Sequence, residues 1–530
     1  MLWIFLAVIV KVFVNVYEDS PTSMKMSIHL PLPTSLITAA LLAATGAPMA
    51  PAQSVWTGGT STWNTAGNWS PSGVPSSSSA TFLEFTHTGS TYTSTDNLTG
   101  DFTLNKLRIS GSSAGTINVL ASSNQRLVFT ADGDTLPVIL FDSTSSAAKV
   151  FNLPLVFNAD TTISSSSGVN STGNLQLGTL SGSGKLIVDF TTTGSGTVLL
   201  QLASASYTGG IDIRSGRVAV GNANAIGSGA LTLSGGILRT TNSAGTLTFA
   251  NAVNIGGNAT VFESANANGL TFTGGGSIQG TNATRTITLG NAGATLTLAG
   301  GYTGTGNGLT FAGSGTAALG NGSSDTAANT YSGATTVSSA TTTLKLDKAA
   351  GTNAVAGNLA ASAGNIFWER SNQVADTATI TLTGTGKVSL FNAAATTGAV
   401  ETIAALSITN GTLAFANNSL LAVTGGVTLG AGANLDITHF NPTSGLAGGT
   451  TFILIDTATS ISGTFVGYSE GYTFDLNGNT FETSYLLGAS HSDFGFVVAA
   501  IPEPSTFAGI AGLLALGATA VNRRRIRCSR

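Results

Sequence analysis

The sequence predicts an all-β fold: a right-handed parallel β-helix (β-solenoid) with terminal caps, plus a short C-terminal transmembrane helix. Three observations point there. Short runs alternating apolar and polar residues recur through the body, Gly-rich steps close them, and stretches of the chain repeat. At 207–239 (YTGGIDIRSGRVAVGNANAIGSGALTLSGGILR) the runs are Ile211-Asp212-Ile213, Arg217 to Val220 and Ala230 to Leu233. Period two marks a strand with one face in and one face out. Glycine adopts φ > 0 at little steric cost, so the chain corners between strands. Two or three such strands cannot bury their own inner face and must stack on copies of themselves.

Copies are present. Tyr207-Thr208-Gly209 returns as Tyr302-Thr303-Gly304 and Tyr331-Ser332-Gly333. The segment Leu180 to Lys185 (LSGSGK) returns as Leu382 to Lys387 (LTGTGK), and TITLG (286–290), TLTLAGG (295–301) and TITLTG (379–384) restate the strand. The unit reads Tyr-(Thr/Ser)-Gly-Gly, a strand with Ser-Gly-Arg, then Asn-Ala-x-Gly-Ser-Gly and a second strand. It resembles the autotransporter-associated β-strand repeat, closely at 207–239 and in degenerate form later. The resemblance implies a β-solenoid on a cell surface.

Composition narrows the classes. Charged residues make up 8% and hydrophobic residues 42% of 530, a balance that disfavours disorder. The 68 glycines, with Thr, Ser and Asn, disfavour long helices. A net charge of −4 and no basic stripe in the body exclude a nucleic-acid footprint. Cys528 is the single cysteine, so residues 1–527 form neither a disulfide nor a Cys-based metal site.

Residues 1–52 form an N-terminal targeting region. Met24-Lys25-Met26, the apolar run Leu36 to Ala44 and the small-residue step Ala50-Pro51-Ala52 read as a signal peptide at 24–52, cleaved between Ala52 and Gln53. The stretch 1–23 is a membrane anchor or an upstream extension of a protein that starts at Met24 or Met26.

Residues 53–110 carry Trp56, Trp63 and Trp69 among turn steps. Indole faces suit pyranose rings, but an open solenoid end also exposes unpaired strand edges, so the segment reads as a hydrophobic cap. Residues 111–450 form the β-strand repeat solenoid. Residues 451–499, rich in Phe and Tyr, form a C-terminal capping module. At about 20–25 residues per rung, 53–500 makes about 18–22 rungs, a rod on the order of 90–105 Å.

The tail, 501–527, orders Pro502-Glu503-Pro504, an apolar run from Phe507 to Val521 and the basic residues Arg523, Arg524, Arg525 and Arg527. A breaker, a membrane-inserting helix and a positive cytoplasmic stop follow in sequence. The run falls short of the about 20 residues that a bilayer core requires, which suits a transient signal better than a durable anchor. The arrangement resembles the PEP-CTERM sorting tail. That implies processing by an exosortase-type protease and delivery to the envelope or extracellular matrix of a Gram-negative bacterium.

Catalytic candidates are sparse. His87, His439 and His491 lie far apart, with no His-x-x-x-His zinc pair and no metal or cofactor motif. Asp132/Asp134, Glu369/Asp376 and Asp436 are the carboxylates a polysaccharide lyase or glycoside hydrolase would use, although Asp132-Gly133-Asp134 reads as a turn. Gly182-Ser183-Gly184-Lys185 lacks the phosphate-loop spacing. Thr-x-Thr strands such as Thr286/Thr288 and Thr295/Thr297 offer hydroxyls to ice or a crystal surface, but their positions look irregular between copies. The sequence therefore favours a non-enzymatic structural or adhesive protein that contacts exopolysaccharide, and the rival is an enzyme on the same scaffold.

Overall fold

The computed structural model describes residues 53–87, 89–192, 194, 196–241, 245–263 and 268–500, with 512–516 and 518. The body is all-β, a parallel β-solenoid of about 14 turns with almost no helix. Strands at Ile211–Ile213, Arg217–Val220 and Leu231–Leu233 fall where the alternating runs place them. Each pairs in parallel with its equivalent one turn away: Ile211 lies beside Leu186 and Leu231, and Val218 beside Val198 and Leu238.

Corners hold because side chains inside them satisfy the backbone. Tyr207 is fully buried, donates to Gly210 O at 2.6 Å and accepts from the Leu186 amide at 2.8 Å. At later corners Asn251 donates to Gly227 O and Gly229 O at 3.0 and 2.7 Å, and Asn307 to Ile278 O and Gly280 O at 2.8 and 2.9 Å. Buried backbone carbonyls need such partners. Gly227 has φ 64°, and a Cβ there would stand 2.1 Å from Tyr207 O, so this corner of the repeat admits only glycine.

Turn length varies more than a uniform rung allows. The turn from Val218 to Leu238 takes 20 residues, but Leu107 to Ile139 takes 32 and Val427 to Ile461 takes 34. Loops between strands absorb the extra chain, which is why the expected 18–22 rungs shrink to about 14. From residue 284 onward some strands bend to serve two faces. Thr284–Leu298 and Gly308–Leu319 pair along their length, with an irregularity between Gly290 and Thr295.

One buried apolar cluster extends from Trp56 to Val498. At its start Trp56, Trp63 and Trp69 are buried edge to face, with centroids 5.0 Å (Trp56–Trp69) and 5.5 Å (Trp63–Trp69) apart, and Trp69–Ser70 pairs antiparallel with the first parallel strand. Their indoles cover the first turn and are closed to any sugar. At the far end Thr451–Thr457 pairs in parallel with Leu420–Val423 on one side and antiparallel with Asp493–Val498 on the other. Phe440, Phe474, Phe481 and Phe496 pack there. Among the described residues no helix is long and apolar enough to cross a membrane; residues 512–516 are helical.

Candidate binding surface

The targeting and sorting residues Ala52, Pro502, Glu503, Pro504, Arg523, Arg524, Arg525 and Arg527 lie outside the described residues. Gln53 opens the first strand, and its amide donates to Glu84.

The carboxylates singled out in the sequence do not converge. Asp132 and Thr135 close a tight turn through reciprocal backbone bonds at 3.0 Å. Asp376 is exposed on a turn. Glu369 sits 3.5 Å from Lys345, and Asp436 sits 2.5 Å from Lys387. Burial alone would raise the Asp436 carboxyl, but Lys387 and the Thr438 amide and hydroxyl hold it down to about 2. Lys345, Phe367, Ser389, Ala414 and Asp436 pair in sequence across adjacent strands, so Glu369 and Asp436 stand three strands apart. That is about 14 Å at the strand spacing, too far for the ~5–9.5 Å of a glycosidase pair. His439 is exposed with its ring 5.1 Å from Phe391, and His491 is likewise at the surface. His87 is buried: desolvation lowers its pKa most, with Lys149 nearby adding to the effect, while a hydrogen bond to Gly115 O opposes both. Among the described residues no His, Cys, Asp or Glu cluster suits a metal ion.

An interior polar ladder escaped the sequence reading. Lys348 Nζ donates to Asp325 Oδ2 at 3.0 Å and to Gly300 O at 2.8 Å. The Lys348 amide donates to Gln373 Oε1 at 2.8 Å, and the Gln373 amide to Glu401 Oε2 at 2.7 Å. Desolvation pushes the Glu401 carboxyl up to about 7, against the Trp368 indole and the surrounding amides. The signal was a polar residue at 325, 348, 373 and 401, one per turn, blurred by unequal turn lengths. Glu401 is fully buried, so a dissolved substrate does not reach its carboxyl in this conformation.

Outward, two faces of the second half differ in chemistry. One carries Lys345, Asp347, Phe367, Glu369, Arg370 and Lys387, with Arg370 paired to Asp347 and the other ion pairs as above. The other carries a single file formed by Thr286, Thr310, Thr336, Ala360, Thr381, Ser407, Thr428 and Ser462, each paired with the next. All are half-exposed or exposed, and among the described residues none of the seven hydroxyls is engaged by another protein group. The Thr positions that look irregular along the chain are aligned in space.

No family model matches the chain, and no curated protein or solved structure matches it significantly.

Proposed function

We propose that this chain is an exported, non-catalytic protein with a structural or adhesive role at the cell surface or in the extracellular matrix of a Gram-negative bacterium. One observation carries the reading: parallel pairing links successive turns from Gln53–Trp56 onward, and aromatic layers cover both ends of the stack. Such a scaffold satisfies its backbone internally and needs no disulfide or metal to persist outside a cell. Its coil is right-handed, as parallel crossovers overwhelmingly are. Residues 24–52 direct export. The tail helix inserts briefly, the arginines hold it, and an exosortase-type protease cuts near Pro502-Glu503-Pro504. Outward hydroxyl and amide groups then contact exopolysaccharide.

Fractionation of producing cells, with mass spectrometry of the mature termini, tests this. The expected result is surface or matrix protein that begins near Gln53 and lacks Arg530. Cytoplasmic protein with an intact N-terminus, or oligosaccharide release by the purified protein, overturns it.

A further inference from the structure

We infer that the file from Thr286 to Ser462 is a track for a neutral polysaccharide chain laid along the stacking direction; this rests on the adhesive reading above. The file presents Thr286, Thr310, Thr336, Thr381, Ser407, Thr428 and Ser462 on consecutive strands, interrupted only at Ala360. Strands in such a ladder lie about 4.8 Å apart, so hydroxyls recur on the length scale of a sugar ring. Each hydroxyl both donates and accepts, and none is used by the protein among the described residues. β-Branched threonine on a strand is restricted at χ1, so the five threonine hydroxyls are largely held in place before anything binds.

The charge of the ligand follows from its neighbours. The file holds no ionisable side chain, and the cations Lys345, Arg370 and Lys387 on the adjoining face are already paired with Glu369, Asp347 and Asp436. Arg285, at the start of the file, donates to Gln279 O and has no carboxylate partner among the described residues, so a single cation, at one end, is all the file offers an acidic polymer. The width of the array argues for a chain over a crystal plane. Beside the file the hydroxyls are interrupted more often: Thr284 pairs with Gly308, Thr288 with Ala312 and Thr379 with Ala405. Ser338 and Ser362 donate back to Phe311 O and Val337 O at 3.4 and 3.5 Å. One near-continuous row with broken flanks fits a polymer, whereas an ice lattice requires a regular two-dimensional array.

Individual hydroxyl contacts are weak, with net values of about 0.5–1.5 kcal/mol, so affinity must grow with the length of chain engaged. The test uses the purified full chain in co-sedimentation with an uncharged insoluble β-glucan, with alginate as the acidic comparison, at low and high salt. Glucan binding should survive high salt and fall about tenfold or more in the quadruple variant Thr310→Val, Thr336→Val, Thr381→Val, Thr428→Val, which keeps β-branched side chains and removes four hydroxyls. Thr316→Val with Thr343→Val, on the adjoining face, should change nothing, and circular dichroism with thermal melting checks that all variants fold. Unchanged glucan binding by a folded quadruple variant overturns the track and leaves the adhesive reading intact. Binding of alginate alone overturns the assignment to neutral polymers. Partition into growing ice without glucan binding overturns the ligand class, and failure to bind any polysaccharide tells against the adhesive reading itself.

Discussion

Trp368 donates its indole N–H to Glu401 at 2.5 Å and helps enclose a carboxyl that has no exposure to solvent. The Gln373 and Val374 amides converge on the same oxygen at 2.7 and 3.2 Å. The group keeps its proton to about 7 in the folded chain, against 4.5 ordinarily.

That difference sets a pH dependence. Between about 4.5 and 7 the unfolded chain loses the proton while the folded chain retains it, so the stabilisation from Glu401 is complete below 4.5 and lost as pH rises through 7. Asp96, raised to about 6 mainly by desolvation, acts in the same direction. The expected loss from Glu401 is on the order of 3 kcal/mol. Thermal melting across this range should show it, and Glu401→Gln, which fixes the neutral form, should flatten the profile. A wild-type melting temperature that rises from pH 5 to 7 would contradict the assignment.

The enclosed Lys348–Asp325 pair should behave as a unit. Lys348→Met or Asp325→Leu alone leaves one buried partner without its mate and should cost about 3–5 kcal/mol. The double replacement should recover much of that loss. Denaturant titration of the four chains in a double-mutant cycle measures the coupling, and strictly additive losses would show that the two groups do not interact.

At the N-terminal end, Trp63 is fully buried, donates to Ser94 Oγ at 2.7 Å and lies edge to face with Phe102 at 5.2 Å. Trp63→Ala should destabilise by about 3–5 kcal/mol. Trp63→Phe, which keeps an aromatic ring but loses the hydrogen bond and part of the indole's bulk, should cost less. Equal losses in chemical denaturation would mean that ring packing contributes little here.

Corner geometry gives a paired comparison. Gly227→Ala forces both a left-handed backbone and a collision with Tyr207 O. Gly133→Ala at φ 56° meets open space, so only the backbone cost of about 1–2 kcal/mol applies. A melting temperature lowered clearly further by the first substitution than by the second is expected.

Much of the architecture was readable because a strand's side-chain period survives any loop length. Ile211, Ile213, Val218 and Val220 point inward whatever separates the turns. Alignment between turns was not readable, because it depends on loop length, and steps of 20 to 34 residues carry no fixed period. Thr310 and Thr336 therefore looked unrelated in the sequence, although they lie side by side. The chain from Asp325 to Glu401 was hidden for the same reason, since each member alone resembles a surface residue.

The way the stack is terminated bears on life at high local concentration. A bare terminal strand would recruit the next molecule and seed fibrils. Here the outermost pairing segments Trp69–Ser70 and Ile461–Ser462 are two residues long, the outer strand of the closing sheet, Thr473–Leu476, is four, and Asp493–Val498 runs antiparallel across the last long parallel strand. Such ends disfavour end-to-end polymerisation, so copies of the chain are expected to stay separate particles even when crowded.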